Sequence, residues 1–277
     1  MRVFKNYSLK KVTTIGLGGS CRELICPLTM EDLRELVDLN PLFIGNGSNI
    51  CFVTDYYDRS IVSLKYMEKK ISFDKKYIYC TSNVSCTRLA RYLFMNKLSG
   101  YEFLYGIPGT VGGAVYMNAG AFDDEILQHV HSVDLIDNNG ITYTMYQDDL
   151  EYSYRKSNFD ESSIIMSIKL YNKPATFDSD LLSELNHKRK TSQPTNNLSC
   201  GCIFKNPLDD YAARLIEEAN LKGLRVGGIY VSRKHSNYFI NDGSGTYQDF
   251  TLLLSKVKDI ILSKFNIRLE EEVLLIK

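Results

Sequence analysis

The feature that most constrains the fold is a glycine-dense segment in the first half of the chain, GIPGTVGGA at residues 106–114. Four glycines and a proline within nine residues exceed what one reverse turn requires. Glycine lets the backbone approach a ligand closely and adopt positive φ, so successive amides can point at a diphosphate. The segment therefore predicts a nucleotide-binding loop.

A second glycine-rich segment, GNGSN at residues 45–49, follows a strand-like run. Taken alone, it fits a tight turn as well as a ligand loop. Neither segment has the lysine of a G-x-x-x-x-G-K-[ST] loop, and neither begins a G-x-G-x-x-G unit with a following helix. The two segments indicate a different class of nucleotide cradle.

Strand-like runs alternate with helical patterns, which predicts an α+β fold. The strand-like runs are 23–26, 42–44, 77–80, 130–136 and 164–170, and the helical patterns are 30–39 and 84–97. Asn139-Gly140 lies between two strand-like runs and predicts a tight hairpin, because both residues tolerate positive φ. A Pro-containing stretch, after which helices dominate, places a domain boundary between residues 174 and 175.

The clearest helical pattern lies near the C-terminal end of the sequence. Thr246 is a suitable N-cap, and residues 273–276 form an apolar run that predicts a buried strand. The helix has an apolar stripe at i, i+3, i+4, i+7 spacing, formed by Phe250, Leu253, Leu254, Val257, Ile260 and Ile261.

Charge and cysteine content limit the class of protein. Lysine plus arginine and aspartate plus glutamate both number 33, so no overall field favours nucleic acid or membrane. The seven cysteines follow neither a zinc-site spacing nor a disulfide framework, and no stretch reaches the ~20 apolar residues of a membrane span. A cytoplasmic protein with reduced thiols and no metal site is expected.

The glycine segment continues as GIPGTVGGAVYMNAGA over residues 106–121 and resembles the signature of UDP-N-acetylenolpyruvoylglucosamine reductases, also called UDP-N-acetylmuramate dehydrogenases. Matching motifs recur in order along nearly the whole chain. They lie at residues 13–19, 45–49, 154–157, 193–194, 201–207, 223–228, 235–237 and 269–273.

The resemblance implies both fold and activity. It implies a two-part FAD-binding domain of the vanillyl-alcohol oxidase/PCMH type at 1–174, with 1–12 packed there or elsewhere, and a smaller α+β UDP-sugar domain at 175–277. It implies that NADPH, through FAD, reduces UDP-N-acetylglucosamine enolpyruvate to UDP-N-acetylmuramate for the bacterial cell wall. A monomer is expected, and the choice between NADPH and NADH stays open.

In this family the glycine loops hold the flavin nucleotide. The FAD contacts implied by the resemblance are Gly45, Asn46, Gly47, Ser48, Asn49, Gly109, Thr110, Gly113, Ala114 and Asn118.

Three positions are implied to be catalytic. Arg155 matches the arginine that grips the enolpyruvyl carboxylate, and Glu272 matches a glutamate that works beside it; taken alone, they read as a surface ion-pair residue and part of a charge run. Cys202 occupies the position where many relatives carry a proton-donating serine. A thiol is more acidic than an alcohol and can serve as the acid, although a free cysteine is more often a small buried hydrophobe, as expected for Cys200.

The UDP-sugar contacts implied by the resemblance are Tyr154, Ser157, Gln193, Lys205, Asn206 and His235. The short stretch between residues 207 and 211 leaves no room for an inserted subdomain, so the chain resembles the shorter branch of the family. Two other functions stay open: a flavin oxidase of the same fold, and a non-catalytic nucleotide-sugar sensor. The competent side chains at 155, 202 and 272 argue against the sensor.

Overall fold

The computed structural model describes residues 1–173 and 177–277. The chain forms two compact units, the first made of residues 1–5, 23–46 and 59–188 and the second of residues 6–22, 47–58 and 189–277. The predicted domain boundary between residues 174 and 175 lies outside the described residues and stays a prediction. Residues 6–12, whose packing the sequence left open, belong to the second unit.

Strands and helices are mixed along the chain, as the α+β prediction requires. The strands are β1 (Arg2–Ser8), β2 (Ser20–Cys26), β3 (Leu42–Ile44), β4 (Ile50–Phe52), β5 (Tyr56–Ser63), β6 (Ile71–Phe73), β7 (Tyr77–Thr81), β8 (Gly120–Ala121), β9 (Asp124–Glu125), β10 (Val130–Ile136), β11 (Thr142–Tyr146), β12 (Tyr152–Ser153), β13 (Lys156–Ser157), β14 (Ile164–Tyr171), β15 (Arg225–Val226), β16 (Ile229–Val231), β17 (Phe239–Asn241) and β18 (Leu274–Ile276). The helices are α1 (Met30–Val37), α2 (Cys86–Met95), α3 (Val111–Tyr116), α4 (Leu181–Ser192), α5 (Ala212–Glu218) and α6 (Tyr247–Phe265).

The largest sheet of the first unit is antiparallel, with the strand order β11-β10-β14-β7-β6. The predicted hairpin between β10 and β11 is confirmed, but of the Asn139-Gly140 pair only Gly140 adopts positive φ, at +76°. The Asp137 amide donates to the Ile141 carbonyl at 3.0 Å, which leaves residues 138–140 as a three-residue loop, and within it the Gly140 amide donates to the Asp137 carbonyl at 3.1 Å. Helices α2 and α3 pack on this sheet in a core that includes Leu89, Val115 and Ile168.

A second sheet has the strand order β1-β2-β5-β3, and its β3 runs parallel to β5. Helix α1 begins at a capping box in which Thr29 Oγ1 accepts from the Asp32 amide at 3.1 Å. The helix contributes Leu33 and Leu36 to a core that also contains Val62 of β5. The predicted helices 30–39 and 84–97 are therefore confirmed, but each ends two residues early, and α2 also begins two residues later than predicted, at Cys86.

The second unit is built around α6. Thr246 Oγ1 accepts from the Asp249 amide at 3.1 Å, so the predicted N-cap is confirmed. The apolar stripe of α6 packs against Phe204 and Phe239. Ile260 was predicted on that stripe but is 37% exposed, because it lies about 80° around the helix from Phe250, at the edge of the stripe.

Two small sheets complete the second unit. Strands β15, β16 and β17 form an antiparallel sheet. The predicted last strand is confirmed as β18, which runs parallel to β4 with Leu275 opposite Cys51, although Leu274 is exposed.

Candidate active site

The two glycine-rich segments meet at Thr110. A Cβ added to Gly45 would lie 2.6 Å from Thr110 Oγ1, so only glycine fits there without displacing that side chain. Thr110 is the N-cap of α3, and its Oγ1 accepts from the Gly113 amide at 3.2 Å. The carbonyl of Gly109, which has φ +138°, accepts from the Cys86 amide at 3.2 Å. Four predicted cofactor residues therefore lie together in the first unit.

The adjacent glycines of α3 have opposite surroundings. A Cβ on Gly112 would lie 2.7 Å from the Cβ of Ser82, so this glycine is required for packing inside the protein. Gly113 is exposed, and a Cβ there would meet only Thr110 Oγ1, at 3.5 Å. Gly113 thus presents a surface without a side chain, which fits a cofactor such as FAD resting on the backbone.

The amides of residues 111–114 all donate within the protein. Val111 donates to the Val84 carbonyl at 2.8 Å, and Gly112 donates to the Ser82 carbonyl at 2.9 Å. The Gly113 amide caps α3, and the Ala114 amide donates to the Thr110 carbonyl at 2.9 Å. The expectation that successive amides point at a diphosphate is therefore wrong for this stretch. The predicted FAD contacts of Gly113 and Ala114 require the surface of their α- or β-carbons instead.

Asn118, predicted to contact FAD, is completely buried and has φ +43°. Its Nδ2 donates to Glu125 Oε2 at 2.8 Å and to the Ser153 carbonyl at 3.0 Å, and its Oδ1 accepts from the Leu127 amide at 3.3 Å. The side chain thus joins the ends of three short segments. The contacts described for the Asn118 side chain are therefore all with other residues of the first unit.

The same network holds Arg155. Its Nη1 donates to Glu125 Oε1 at 3.3 Å and to the Asn118 carbonyl at 3.4 Å, and its Nη2 donates to the Gly120 carbonyl at 3.0 Å. The guanidinium also stacks on the Tyr154 ring, 4.7 Å from its centroid. The position of this charge is therefore fixed by side chains and carbonyls of the first unit.

Arg155 has a backbone conformation that L-residues rarely adopt. Tyr152 pairs with Ser157 and Ser153 with Lys156, which leaves Tyr154 and Arg155 as the two-residue turn between β12 and β13. Arg155 has φ +57°, where glycine or asparagine is normal, at a cost of about 1–3 kcal/mol. Such strain is typical of functional positions.

The other predicted substrate residues of the first unit flank this turn. Tyr154 is exposed. The Ser157 hydroxyl donates to the Tyr116 carbonyl at 2.5 Å, which attaches the hairpin to the end of α3.

In the second unit, the main chain brings Cys202 and Glu272 together. The Glu272 amide donates at 2.8 Å to the carbonyl of Ile203, the residue that follows Cys202. Cys202 itself forms an antiparallel bridge with Tyr238, and the Ile203 amide donates to the Asn237 carbonyl at 2.9 Å. The pairing of three backbone segments therefore places two predicted catalytic residues, Cys202 and Glu272, in one region of the second unit.

The end of the GNGSN segment lies beside these residues. Asn49 Nδ2 donates to the Glu272 carbonyl at 3.0 Å, and the Asn49 carbonyl accepts from the Leu274 amide at 2.9 Å. A Cβ on Gly201 would lie 3.8 Å from the Ser48 carbonyl oxygen. Three predicted residues, Ser48, Asn49 and Glu272, thus share one neighbourhood of the second unit.

The remaining residues of GNGSN differ in exposure. Gly47 is buried, and a Cβ there would lie 2.0 Å from the Val12 carbonyl oxygen. Asn46 is exposed in the first unit. Gly47 therefore has a packing reason for its identity, while Asn46 lies at the surface.

The two cysteines of Cys-Gly-Cys have different environments. Cys200 is completely buried, and burial raises the pKa of its thiol well above the usual value. Cys202 is only partly buried. The difference supports the choice of Cys202 over Cys200 as the reactive thiol.

The predicted substrate residues of the second unit have polar or charged neighbours. Lys205 Nζ is 3.7 Å from Glu270 Oε2, and the Asn206 side-chain oxygen accepts from the Ala212 amide at 3.1 Å, where α5 begins. Gln193 Oε1 accepts from Arg189 Nη1 at 3.3 Å. The pKa of His235 is lowered, mainly by burial and then by Lys222.

Sequence reasoning missed three residues of these neighbourhoods. Glu125 holds Arg155, and Arg189 is a buried arginine one helical turn before Gln193. Tyr238 lies opposite Cys202 in an antiparallel bridge. Only the i, i+4 spacing of Arg189 and Gln193 gave a local signal; the other two contacts join distant parts of the sequence.

Two other kinds of feature are absent from residues 1–173 and 177–277. No helix there is both long and apolar enough to cross a membrane. No group of three or more His, Cys, Asp or Glu side chains in those ranges could hold a metal ion.

Comparison with protein families assigns both parts of the chain. The description "FAD binding domain" matches residues 23–146, and "UDP-N-acetylenolpyruvoylglucosamine reductase, C-terminal domain" matches residues 193–276. Together with the side-chain-free surface at Gly113, these matches define the class of protein as a flavin-dependent oxidoreductase.

Whole-chain comparisons narrow the class. The chain is 32% identical to the UDP-N-acetylenolpyruvoylglucosamine reductase of Fusobacterium nucleatum, with both chains covered completely. It is 36% identical to the enzyme of that name from Clostridium botulinum, with 97% of this chain and 90% of the relative covered. The crystal structure of the Thermus caldophilus reductase matches with a TM-score of 0.85 and 31% identity, over 100% of both chains. The chain belongs to the UDP-N-acetylenolpyruvoylglucosamine reductase family, and its 277 residues fit the shorter branch.

Proposed function

We propose that the chain catalyses the NADPH-dependent, FAD-mediated reduction of UDP-N-acetylglucosamine enolpyruvate to UDP-N-acetylmuramate. One observation supports the proposal: in a member of this reductase family, a backbone hydrogen bond from the Glu272 amide to the Ile203 carbonyl joins the segment of the partly exposed thiol of Cys202 to that of the Glu272 carboxylate. The product is a precursor of peptidoglycan, on which cell shape and cell division depend.

FAD would be held by the glycine segments. The surface at Gly113, with Gly45 and Thr110 beside it, supports the cofactor contact in the first unit. Asn46, Gly47, Ser48, Asn49, Gly109, Ala114 and Asn118 complete the proposed set. When bound, FAD supplies the hydride that NADPH provides.

Arg155 is proposed to bind the enolpyruvyl carboxylate. Its planar guanidinium suits a carboxylate on which negative charge grows as the double bond is reduced. The bonds to Glu125, Asn118 and Gly120 support this role, because they fix the guanidinium before any substrate binds. Glu272, in the second unit, is proposed as a further catalytic residue of the same reaction.

Cys202 is proposed to protonate the carbon next to the carboxylate. The S–H bond breaks, a C–H bond forms at that carbon, and the sulfur keeps the electron pair as a thiolate that solvent reprotonates. An unperturbed thiol, with a pKa of about 8.5, still carries its proton at neutral pH and can therefore act as the acid.

Six polar residues are proposed to contact the UDP-sugar. Tyr154 and Ser157 are proposed in the first unit, and Gln193, Lys205, Asn206 and His235 in the second. We further propose that the enzyme works as a monomer in the cytoplasm. The seven cysteines, which form no disulfide among the described residues, support a reducing compartment.

An anaerobic two-step experiment tests the proposed function. The flavin of the purified protein is first reduced with NADPH or with NADH, and UDP-N-acetylglucosamine enolpyruvate is then added. We expect NADPH to reduce the flavin and the enolpyruvyl substrate to reoxidise it, with formation of UDP-N-acetylmuramate. Reduced flavin that stays reduced after the substrate is added would exclude the proposed reaction.

A further inference from the structure

We propose that Tyr238 is a positioning residue for the proton donor: its hydroxyl orients the Cys202 sulfur and stabilises the thiolate that proton transfer leaves. This inference rests on the role proposed for Cys202. The two residues lie opposite each other in an antiparallel bridge, so their side chains project from the same face, which places the Tyr238 phenol beside the Cys202 thiol.

The backbone and ring of Tyr238 are held on several sides. Its amide donates to the His235 carbonyl at 3.0 Å, and its carbonyl accepts from the Ser232 amide at 2.8 Å. The ring meets the His235 ring edge to face, with 4.9 Å between centroids. The ring of Tyr238 is therefore held in place opposite Cys202, and the phenol would lose little conformational freedom on donating to the sulfur.

The chemistry explains why a hydroxyl matters at this place. When the Cys202 S–H bond breaks, the sulfur gains a negative charge, and a hydrogen bond to a charged acceptor is roughly twice as strong as one between neutral groups. The Tyr238 O–H is thus worth more after proton transfer than before it, which is the condition for accelerating the step.

Tyr238 itself keeps its proton. Burial raises the pKa of the phenol well above its usual value, and the neighbouring Cys202 raises it further, while Arg189 lowers it and Glu272 raises it. Cys202, Arg189, Glu272 and the His235 ring are the ionisable groups that act on the phenol or touch its ring in the described residues. The hydroxyl therefore acts as a donor of a hydrogen bond at neutral pH.

Tyr238→Phe removes the hydroxyl and keeps the ring, and Tyr247→Phe is a matched control, because the Tyr247 hydroxyl donates to Asp55 Oδ2 at 3.0 Å in the same unit. The rate of alkylation of Cys202 by iodoacetamide, measured by mass spectrometry of its peptide as a function of pH, reports the thiolate. In Tyr238→Phe we expect this rate to fall about tenfold at pH 7, as the loss of a hydrogen bond to a charged group predicts. A rate equal to that of the parent and of Tyr247→Phe would overturn the proposal.

A double-mutant comparison separates positioning from packing. Tyr238→Phe should slow reoxidation of the reduced flavin by the enolpyruvyl substrate about tenfold in the parent, and not at all in Cys202→Ala. The same slowing in both backgrounds would show that Tyr238 does not act through the thiol. Parental rates in Cys202→Ala would instead exclude the proposed role of Cys202 as proton donor. The alkylation of Cys202 in Tyr238→Phe does not depend on that role, so the two proposals can fail separately.

Discussion

The two units hold their proposed catalytic residues by different kinds of bond. In the first unit, Arg155 is fixed by side-chain bonds to Glu125 and to carbonyls, on a strained turn. In the second unit, main-chain bonds position Cys202 and Glu272 around Ile203, with one side-chain amide, from Asn49, added. A position held by the main chain tolerates changes of neighbouring side chains, whereas one held by side chains depends on each of them.

The largest expected effect concerns the glycine surface of the first unit. Gly113→Val places a branched side chain where the cofactor is proposed to rest, so we expect loss of FAD, and with it all turnover, without global unfolding. Flavin absorbance and thermal unfolding of the purified variant measure the two properties. Gly112→Ala is the matched control: its Cβ meets Ser82, so it should lower stability by about 1–3 kcal/mol. A yellow, active Gly113→Val protein would exclude that contact.

The next effect tests a residue held by the main chain. Cys202→Ala removes the proton donor but none of the backbone bonds, so the substrate half-reaction should slow by roughly 10² to 10⁴, with thermal stability nearly unchanged. Cys202→Ser should keep substantial turnover, and Cys200→Ala should be nearly silent in rate. Single-turnover reoxidation of the reduced flavin, together with product formation, measures these rates. Cys202→Ala at the parental rate would make Cys202 a packing residue.

A smaller effect on the substrate half-reaction is expected for the two charged residues, Arg155 and Glu272. Arg155→Ala and Glu272→Gln should each slow the substrate half-reaction by roughly a hundredfold or more and leave reduction of the flavin by NADPH nearly intact. Parental reoxidation rates in both variants would exclude the assignment.

The strain at Arg155 can be measured as a difference in the free energy of unfolding between two variants. Arg155→Gly should be as inactive as Arg155→Ala, yet more stable than it by about 1 kcal/mol, because glycine adopts φ +57° without strain. Chemical unfolding of the two variants gives the difference, and equal stability would show that the turn is not strained.

The smallest expected effect concerns the dependence of Arg155 on its side-chain partner, Glu125. Glu125→Gln keeps the shape of the side chain but removes the charge that pairs with Arg155, so we expect KM for the enolpyruvyl substrate to rise about tenfold, the value of a charge-assisted hydrogen bond. Glu151→Gln, at an exposed position of the same unit, is the control. Unchanged substrate kinetics in Glu125→Gln would mean that Arg155 does not depend on its side-chain partner.

Local features were predicted well because their signals lie within a few residues. The capping residue Thr246, helices α1 and α2 and the hairpin at Gly140 all follow from short patterns. The prediction of positive φ at Asn139 was wrong, because the three-residue loop needs positive φ only at Gly140. Local chemistry thus predicted where the chain turns better than it predicted how.

The surroundings of the candidate site could not be predicted from local patterns. Asn118, Glu125 and Arg155 join in one network, and Cys202 meets Tyr238, although these residues are far apart in sequence. The roles expected for Arg155, Cys202 and Glu272 came from resemblance alone. No periodicity or spacing contains the pairing of three backbone segments that places Glu272 beside Ile203.

The parallel pairing of β4 with β18 has a consequence for synthesis on the ribosome. Residues 50–52 emerge long before residues 274–276, and the roughly 220 residues between them take about 10 to 45 s to make at ~5–20 residues per second. Throughout that time Asn49 has no Glu272 carbonyl to hold. A nascent chain stalled before residue 272 therefore carries in full the glycine segments proposed to bind the cofactor but lacks the carboxylate proposed for catalysis, so translation completes these two proposed parts of the site at different times.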